Sequence, residues 1–289
     1  MPEVVCLNGQ RVPHERACIS IDDRGFLYGD AVYDVVRAYH GRLWAADRHF
    51  RRLARSLAEV GIEGVDLDAL QKLAARAVAE SGFADANVYL HVTRGSEPRR
   101  LGPGPDLRPN VLVLVRDSAG ISSPSCFQGV SAITVPDLRW RRCDIKSTSM
   151  LGNVLARMEA KRAGVYEAIM YDEEGHITEA AAMSVFAVER GTVFTTPLGP
   201  AILPSINREL LIEMAGDLDI PVREERLARE RFRKMEEVFL TSTTHEVCPV
   251  LQLDGRPVGD GKVGPITARL LETFLARIAA GDDAPRTRP

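Results

Sequence analysis

The chain has 289 residues, of which 45% are hydrophobic, and a formal net charge of -3. That size allows one large or two medium domains with a substantial buried core, and the slightly acidic balance gives no general attraction for nucleic acid or anionic membrane. The N-terminus lacks a basic stretch followed by an apolar one, no segment approaches the roughly 20 apolar residues of a membrane span, and Cys6, Cys18, Cys126, Cys143 and Cys248 form no paired motif, so reduced cytoplasmic thiols and no metal site are expected.

A short apolar run at 4–7, an Asn8-Gly9 turn and residues 11–13 read as a hairpin. A β-branched and aromatic strand over 31–39 turns at His40-Gly41 into a second hairpin strand at 42–45. The helical spacing of Phe50, Leu53, Ala54 and Leu57 predicts a helix over 47–60, and a second follows over 67–80. Strands at 87–93 and 110–115 flank a loop rich in Gly, Pro and Arg, after which 117–125 reads as linker. The second half opens on a strand at 129–135 and a helix at about 150–163 that carries Leu151, Leu155 and Met158. Strands at 167–171, 185–188 and 193–195 come next, then a helix over 206–217, a strand at 237–241, a hairpin around 253–258 and a last helix over 265–278. The tail 281–289 is expected to be disordered. These elements suggest a small N-terminal α/β domain at 1–118, an interdomain linker at 119–125 and a larger domain at 126–280, with the active site between the domains.

Lys146 carries the strongest chemical signal. The chain has five lysines against 32 arginines, and this one lies in Arg142-Cys143-Asp144-Ile145-Lys146-Ser147, between an apolar strand and a helix. Arginine stays protonated, whereas a partly buried lysine can lose its proton and attack an aldehyde. A lysine that caps or salt-bridges the following helix is the plain alternative. Further on, Ser205 is a good N-cap for the helix at 206–217, whose first N–H groups at Ile206 and Asn207 lack intrahelical acceptors and suit an anion such as phosphate. His245 and Cys248 stand three apart without a third ligand, which reads as a turn and a core residue.

Several blocks in order extend the signal over nearly the whole chain: Asp23-Arg24-Gly25, Val32-Tyr33-Asp34-Val35-Val36, Val92-Thr93-Arg94-Gly95, the Lys146 segment, Thr241-Ser242-Thr243-Thr244 and Asp260-Gly261-Lys262. With them the chain resembles the class IV aminotransferases, the fold-type IV pyridoxal 5'-phosphate (PLP) enzymes, and within them the D-amino acid aminotransferases. The resemblance implies an α/β (α+β) fold with a small α/β domain and a larger pseudo-barrel domain, PLP as cofactor, a homodimer, and amino acid and 2-oxo acid substrates. It implies that Lys146 forms the Schiff base with PLP and shuttles the proton, and that Glu179 pairs with the pyridine nitrogen and keeps it protonated. Arg52 is then the phosphate-gripping arginine, supported by Ile206, Asn207, Ser242 and Thr243, with Arg51 on the solvent side of the helix. Tyr33 and Arg99 match a carboxylate trap for D-substrates. Asp144 is expected as a hydrogen-bond partner or helix cap, and His49 as a packed helical histidine.

Three positions depart from the family pattern. The run Ala180-Ala181-Ala182-Met183-Ser184 lacks the small hydroxyl residues usual after the glutamate, Ser205-Ile206-Asn207 stands where Gly-Ile-Thr is common, and Leu101 takes a position often held by His. Weaker cofactor retention and a looser carboxylate grip are expected. The favoured activity is transamination with a D-amino acid donor. The alternatives are an aminodeoxychorismate lyase releasing pyruvate and 4-aminobenzoate, and a PLP-free binding protein that keeps the fold.

Overall fold

A computed structural model describes residues 3–118 and 127–283; the expected linker at 119–125, Cys126 and the tail from 284 onward lie outside the described residues. The chain divides into two compact units. Unit 1 gathers the described N-terminal residues together with Ile145–Ser149, and unit 2 gathers the rest. The segment that carries Lys146 therefore clusters with unit 1, whereas the expected boundary at 126 assigns it to the larger domain. Two main-chain bonds explain this: Tyr33 N–H donates to Lys146 O and Thr148 N–H to Ala31 O, each at 3.0 Å, which together form the antiparallel bridge of Val32 with Ser147.

Unit 1 is built on one antiparallel sheet of β1 (Val4–Leu7), β2 (Gln10–Val12), β3 (Ala31–Tyr39), β4 (Arg42–Leu43), β5 (Ala86–Thr93) and β6 (Asn110–Asp117), in the order β2-β1-β6-β5-β3-β4. A short helix α1 (Arg24–Tyr28) precedes β3, and α2 (Ala46–Val60) and α3 (Leu67–Ser81) pack on the sheet. Alternation along β3 sends Val32, Val36 and Ala38 into the core, where Phe50, Leu53 and Leu57 of α2 meet them. Asp34 occupies the same buried face of β3, an acid at a core position. Helix α2 answers it with a second, polar stripe of His49, Arg52 and Ser56, all buried at helical spacing. Arg51 is exposed, as expected.

Unit 2 contains β7 (Val130–Pro136), α4 (Leu151–Arg162), β8 (Glu167–Tyr171), β9 (Ile177–Ala180), β10 (Ser184–Glu189), β11 (Thr192–Thr195), α5 (Ile206–Asp217), β12 (Val222–Glu224), α6 (Arg229–Phe232), β13 (Glu237–Thr241), β14 (Cys248–Leu253), β15 (Arg256–Pro257) and α7 (Pro265–Ala280). Its sheet runs β12-β11-β10-β13-β14-β7-β8-β9 with β15 on β14. The β11–β12, β14–β7 and β7–β8 pairs are parallel and the others antiparallel. Such a mixed sheet buries both faces of its central strands, and β8, β9, β10 and β13 are buried almost throughout. The expected Ser205 cap forms, its hydroxyl accepting from Arg208 N–H at 3.4 Å. Asp144 does not cap α4, whose N-cap is Met150, and pairs with Arg142 at 2.9 Å instead. The expectation of reduced thiols throughout is also revised. Cys6, Cys18 and Cys143 are free, whereas Cys248 is disulfide-bonded.

Candidate active site

In unit 1 the short pairing of Ile145–Ser149 with β3 brings Lys146 and Tyr33 together. The Lys146 Nζ stands 4.4 Å from the centre of the Tyr33 ring, and the Lys146 N–H donates to Ser56 Oγ at 3.2 Å. Backbone ties on both sides of the residue thus set the direction of its side chain. Tyr33 packs at 5.7 Å against Tyr89, whose hydroxyl meets His91 Nδ1 at 3.0 Å. Burial pushes the Tyr89 phenol up to about 12, so it keeps its proton near neutral pH and donates it to the histidine. Burial also lowers His91 below its ordinary value, which leaves a neutral ring.

Arg52, the residue expected to grip phosphate, presents a fork to Asp34. Its Nε and Nη2 donate to the two carboxylate oxygens at 2.8 and 2.7 Å. His49 Nδ1 lies 2.8 Å from the same carboxylate. Burial alone raises the Asp34 pKa, but Arg52 and His49 outweigh it and hold this carboxyl well below the usual range. His49 itself is depressed by burial more than Asp34 raises it, so its Nδ1–H donates to Asp34 and its Nε2 remains a buried acceptor. Asp34 therefore fixes the plane of the Arg52 guanidinium. Arg99 lies on the exposed loop after β5, with its guanidinium 5.9 Å from the Tyr28 ring centre.

In unit 2, Glu179 sits in β9 and is almost wholly buried. It accepts from Arg139 Nη1 at 2.5 Å and from Leu203 N–H at 3.2 Å. Arg139 also clasps Asp137 through Nε and Nη2, at 2.9 and 2.7 Å, and donates to Ala201 O at 3.0 Å, while Thr178 Oγ1 donates to Asp137 at 2.7 Å. Burial pushes the Glu179 carboxyl up, and Arg139 is the main force opposing that rise. For Arg139 burial favours loss of charge, but the bond to Asp137 and the field of Glu179 prevail, and it stays charged. Between three arginines at 139, 141 and 142 the sequence does not distinguish the buried one; only its place beside Asp137 hints at a clasp.

The residues expected to form a phosphate cup divide in two groups. Asn207 is buried and spends its amide on Ser242 O at 2.7 Å, which ties the start of α5 to the loop after β13. Ser242 Oγ lies 3.1 Å from His245 Nδ1, itself 2.9 Å from Thr244 Oγ1, so the Ser-Thr-Thr turn is a hydroxyl cluster centred on His245. Ile206 is buried beside Asn207, and Thr243 is half-buried within the turn. In the apolar run after Glu179, the Ala180 N–H donates to Met183 O and the Ala181 N–H to Ala168 O, both at 2.9 Å. The first closes the turn and the second ties it to β8. Cys143, close to Lys146 in sequence, is pushed up to about 11 by burial and donates to Trp140 O, which makes it an inert thiol.

The model of the amino-transferase class IV family matches residues 31–253. The chain is 36% identical over 272 residues to the D-alanine aminotransferase of Staphylococcus haemolyticus, covering 93% of this chain and 96% of the relative. Among solved structures, Escherichia coli branched-chain amino acid aminotransferase superposes with a TM-score of 0.92 at 26% identity, covering 98% of this chain and 96% of that one. The T.th. branched-chain amino acid aminotransferase complexed with N-(5'-phosphopyridoxyl)-L-glutamate gives a TM-score of 0.89 at 27% identity, covering 98% and 95%. With a mixed α/β fold of this type and a match over most of its length, the chain belongs to the class IV aminotransferases, fold-type IV transaminases that work with pyridoxal 5'-phosphate.

Proposed function

We propose that this transaminase takes D-amino acids as donors, that Lys146 is the attachment point of its cofactor, and that it acts as a cytoplasmic homodimer, where amino and 2-oxo acids are at hand. The observation that carries the catalytic reading is the placement of the Lys146 amine over Tyr33 by main-chain bonds on both sides. The extensive likeness to a D-alanine aminotransferase supports the D-donor, and Tyr33 and Arg99 are the groups assigned to its carboxylate.

The side chains present fit PLP. Lys146 offers an amine and Glu179 a buried acceptor, while Arg52, the first turn of α5 at Ile206 and Asn207, and Ser242 and Thr243 offer donors suited to phosphate. When bound, PLP supplies an electron sink for the charge left on the substrate Cα. Lys146, with its amine free, would take the proton from that carbon and deliver it to the carbon on the far side of the substrate nitrogen. Glu179, whose upward push by burial Arg139 opposes, would pair with the pyridine nitrogen and favour its protonated form. Asp34 keeps Arg52 in one orientation, so the phosphate grip costs no reordering on binding.

The homodimer is supported by α4. Leu151, Val154, Leu155 and Met158 lie at i, i+3, i+4 and i+7 and are all exposed, and Leu138 and Trp140 are exposed before them in the same unit. A contiguous apolar stripe of this kind marks an interaction surface. Leu155→Glu combined with Met158→Glu should shift the mass measured by light scattering from dimer to monomer; a parent that is already monomeric removes the homodimer reading.

Single-turnover spectra of the holoenzyme with paired D- and L-alanine, followed by 2-oxoglutarate, test the donor assignment. Faster conversion of the D-isomer is expected, and faster conversion of L-branched-chain donors, which the names of the similar structures would suggest, overturns it. Borohydride treatment followed by peptide mapping should place the pyridoxyl label on Lys146, and Lys146→Ala should carry none; a label on Lys161 or Lys262 defeats the assignment.

The Arg139 clasp yields a pH prediction. Glu179 works ionised, so activity rises with pH through its pKa. Burial raises that pKa and Arg139 restrains it, so weakening the clasp moves it further up. In Arg139→Lys one ammonium replaces a fork that bonds Asp137, Glu179 and Ala201 O together. The acid limb of the half-reaction pH profile is expected to shift to higher pH. An unmoved limb shows that Arg139 does not govern the ionisation of Glu179.

A further inference from the structure

The Asp23-Arg24-Gly25 block has no role in the site described so far, yet Arg24 is among the most heavily bonded side chains of unit 1. It is only 3% exposed. Its Nε donates to Asp30 at 2.8 Å and its Nη1 to Glu97 at 3.0 Å. The same Nη1 donates to the carbonyl of Arg100, and Nη2 to that of Leu101, each at 2.8 Å. These carbonyls belong to the exposed loop that follows β5 and carries Arg99.

The rest of the loop is fixed around this hub. Asp30 is shared with Arg94, whose Nε and Nη2 reach it at 2.7 and 2.9 Å and which also donates to the Val60 and Gly61 carbonyls at the end of α2. Glu97 accepts from Arg100 Nε at 2.6 Å and from Gly104 N–H at 3.2 Å, closing the far side of the loop. At the base, Gly95 has φ +112°, and a Cβ there would stand 2.2 Å from Arg108 O, so glycine is required for the return strand to pass. Asp23 is fully buried and caps α1 through Gly25 N–H at 2.8 Å, while Thr93 Oγ1 and Asn110 Nδ2 each donate to it at 2.7 Å, so the helix start that presents Arg24 is itself rigid.

We propose that Arg24 is a positioning residue for substrate recognition: it fixes the 96–104 loop by its two carbonyl bonds and so sets where Arg99 and Leu101 are offered to the substrate carboxylate. This rests on the reading of Arg99 as a carboxylate-binding group. Lysine cannot substitute, because a single ammonium lacks the planar fork that spans two carboxylates and two successive carbonyls. The effect falls on substrate affinity and not on the reacting atoms, since none of these bonds involves Lys146 or Glu179.

The test compares parent, Arg24→Lys and Gly104→Ala holoenzymes. A Cβ at Gly104 would displace the end of the Arg100 side chain from Glu97 and loosens the loop from its outer side without touching the hub. Arg24→Lys is expected to raise KM for D-alanine about tenfold, the effect of about 1.4 kcal/mol in binding, with kcat within about twofold. Gly104→Ala is expected to act in the same direction and less strongly. Trypsin should cut after Arg100 faster in both, because the Arg100 carbonyl that Arg24 holds is the one trypsin attacks there. The visible band of the bound cofactor should be unchanged. Cleavage at the parent rate in both variants, or faster cleavage with KM unchanged, overturns the proposal and leaves the transaminase reading, which the parent's own turnover decides, intact.

Discussion

The catalytic reading depends on one short backbone pairing. β3 is bonded to β5 along its whole length, and its other edge is taken by β4 only at Ala38 and Tyr39. The first part of that edge would otherwise be open, and it is covered by Ile145–Ser149 through Tyr33 N–H, Lys146 O, Thr148 N–H and Ala31 O. Main-chain bonds of this kind fix register to a single residue. A slip by one would turn Lys146 away from Tyr33 and put Ile145, now in the unit 1 core, on the opposite face. The apolar neighbour thus locks the direction of the lysine. That is a more exacting constraint than any side-chain contact the amine makes.

Within each unit, buried arginines do the orienting. Arg24 with Asp30, Arg52 with Asp34 and Arg139 with Asp137 are each a guanidinium on an aspartate, and Arg24 and Arg139 each bond further groups. Burying such pairs costs desolvation that charge attraction alone seldom recovers, so their value lies in fixing geometry. A fork with five donors can serve several acceptors in one plane, which an ammonium cannot. This accounts for the buried arginines: each stands where a direction must be held.

The long elements were legible because their pattern is their cause. The amphipathic spacing of α2, α3 and α7 and the alternation of β3, β5 and β6 predict them to within a few residues. β9 escaped because four consecutive buried residues carry no alternation, and α1 because five residues are held mainly by the Asp23 cap. Lys146, Tyr33 and Glu179 were singled out by their motifs, and the proposed roles rest on that resemblance. Asp34 could have been found from periodicity alone, as an acid in phase with Val32, Val36 and Ala38, and its helix partners His49 and Arg52 follow at the matching spacing. Arg139 and Arg24 could not, since their partners Glu179, Arg100 and Leu101 lie far along the chain and only folding brings them close. The segment 145–149 was assigned to the larger domain for the same reason: its neighbours in sequence are not its neighbours in space.

On the face of the unit 1 sheet that bears Tyr33, the register places Tyr33 opposite His91 and Val35 opposite Tyr89. Burial keeps Tyr89 protonated and His91 neutral, and the bond between them uses the phenol proton and the Nδ1 acceptor. The row of side chains next to the Lys146 amine is consequently aromatic and uncharged. Such a wall offers no countercharge to a carboxylate. The proposed charge recognition is accordingly assigned to the exposed loop after β5. Under the role proposed for Arg99, with Leu101 in place of a donor, the accuracy with which the loop backbone is held decides how well one guanidinium serves.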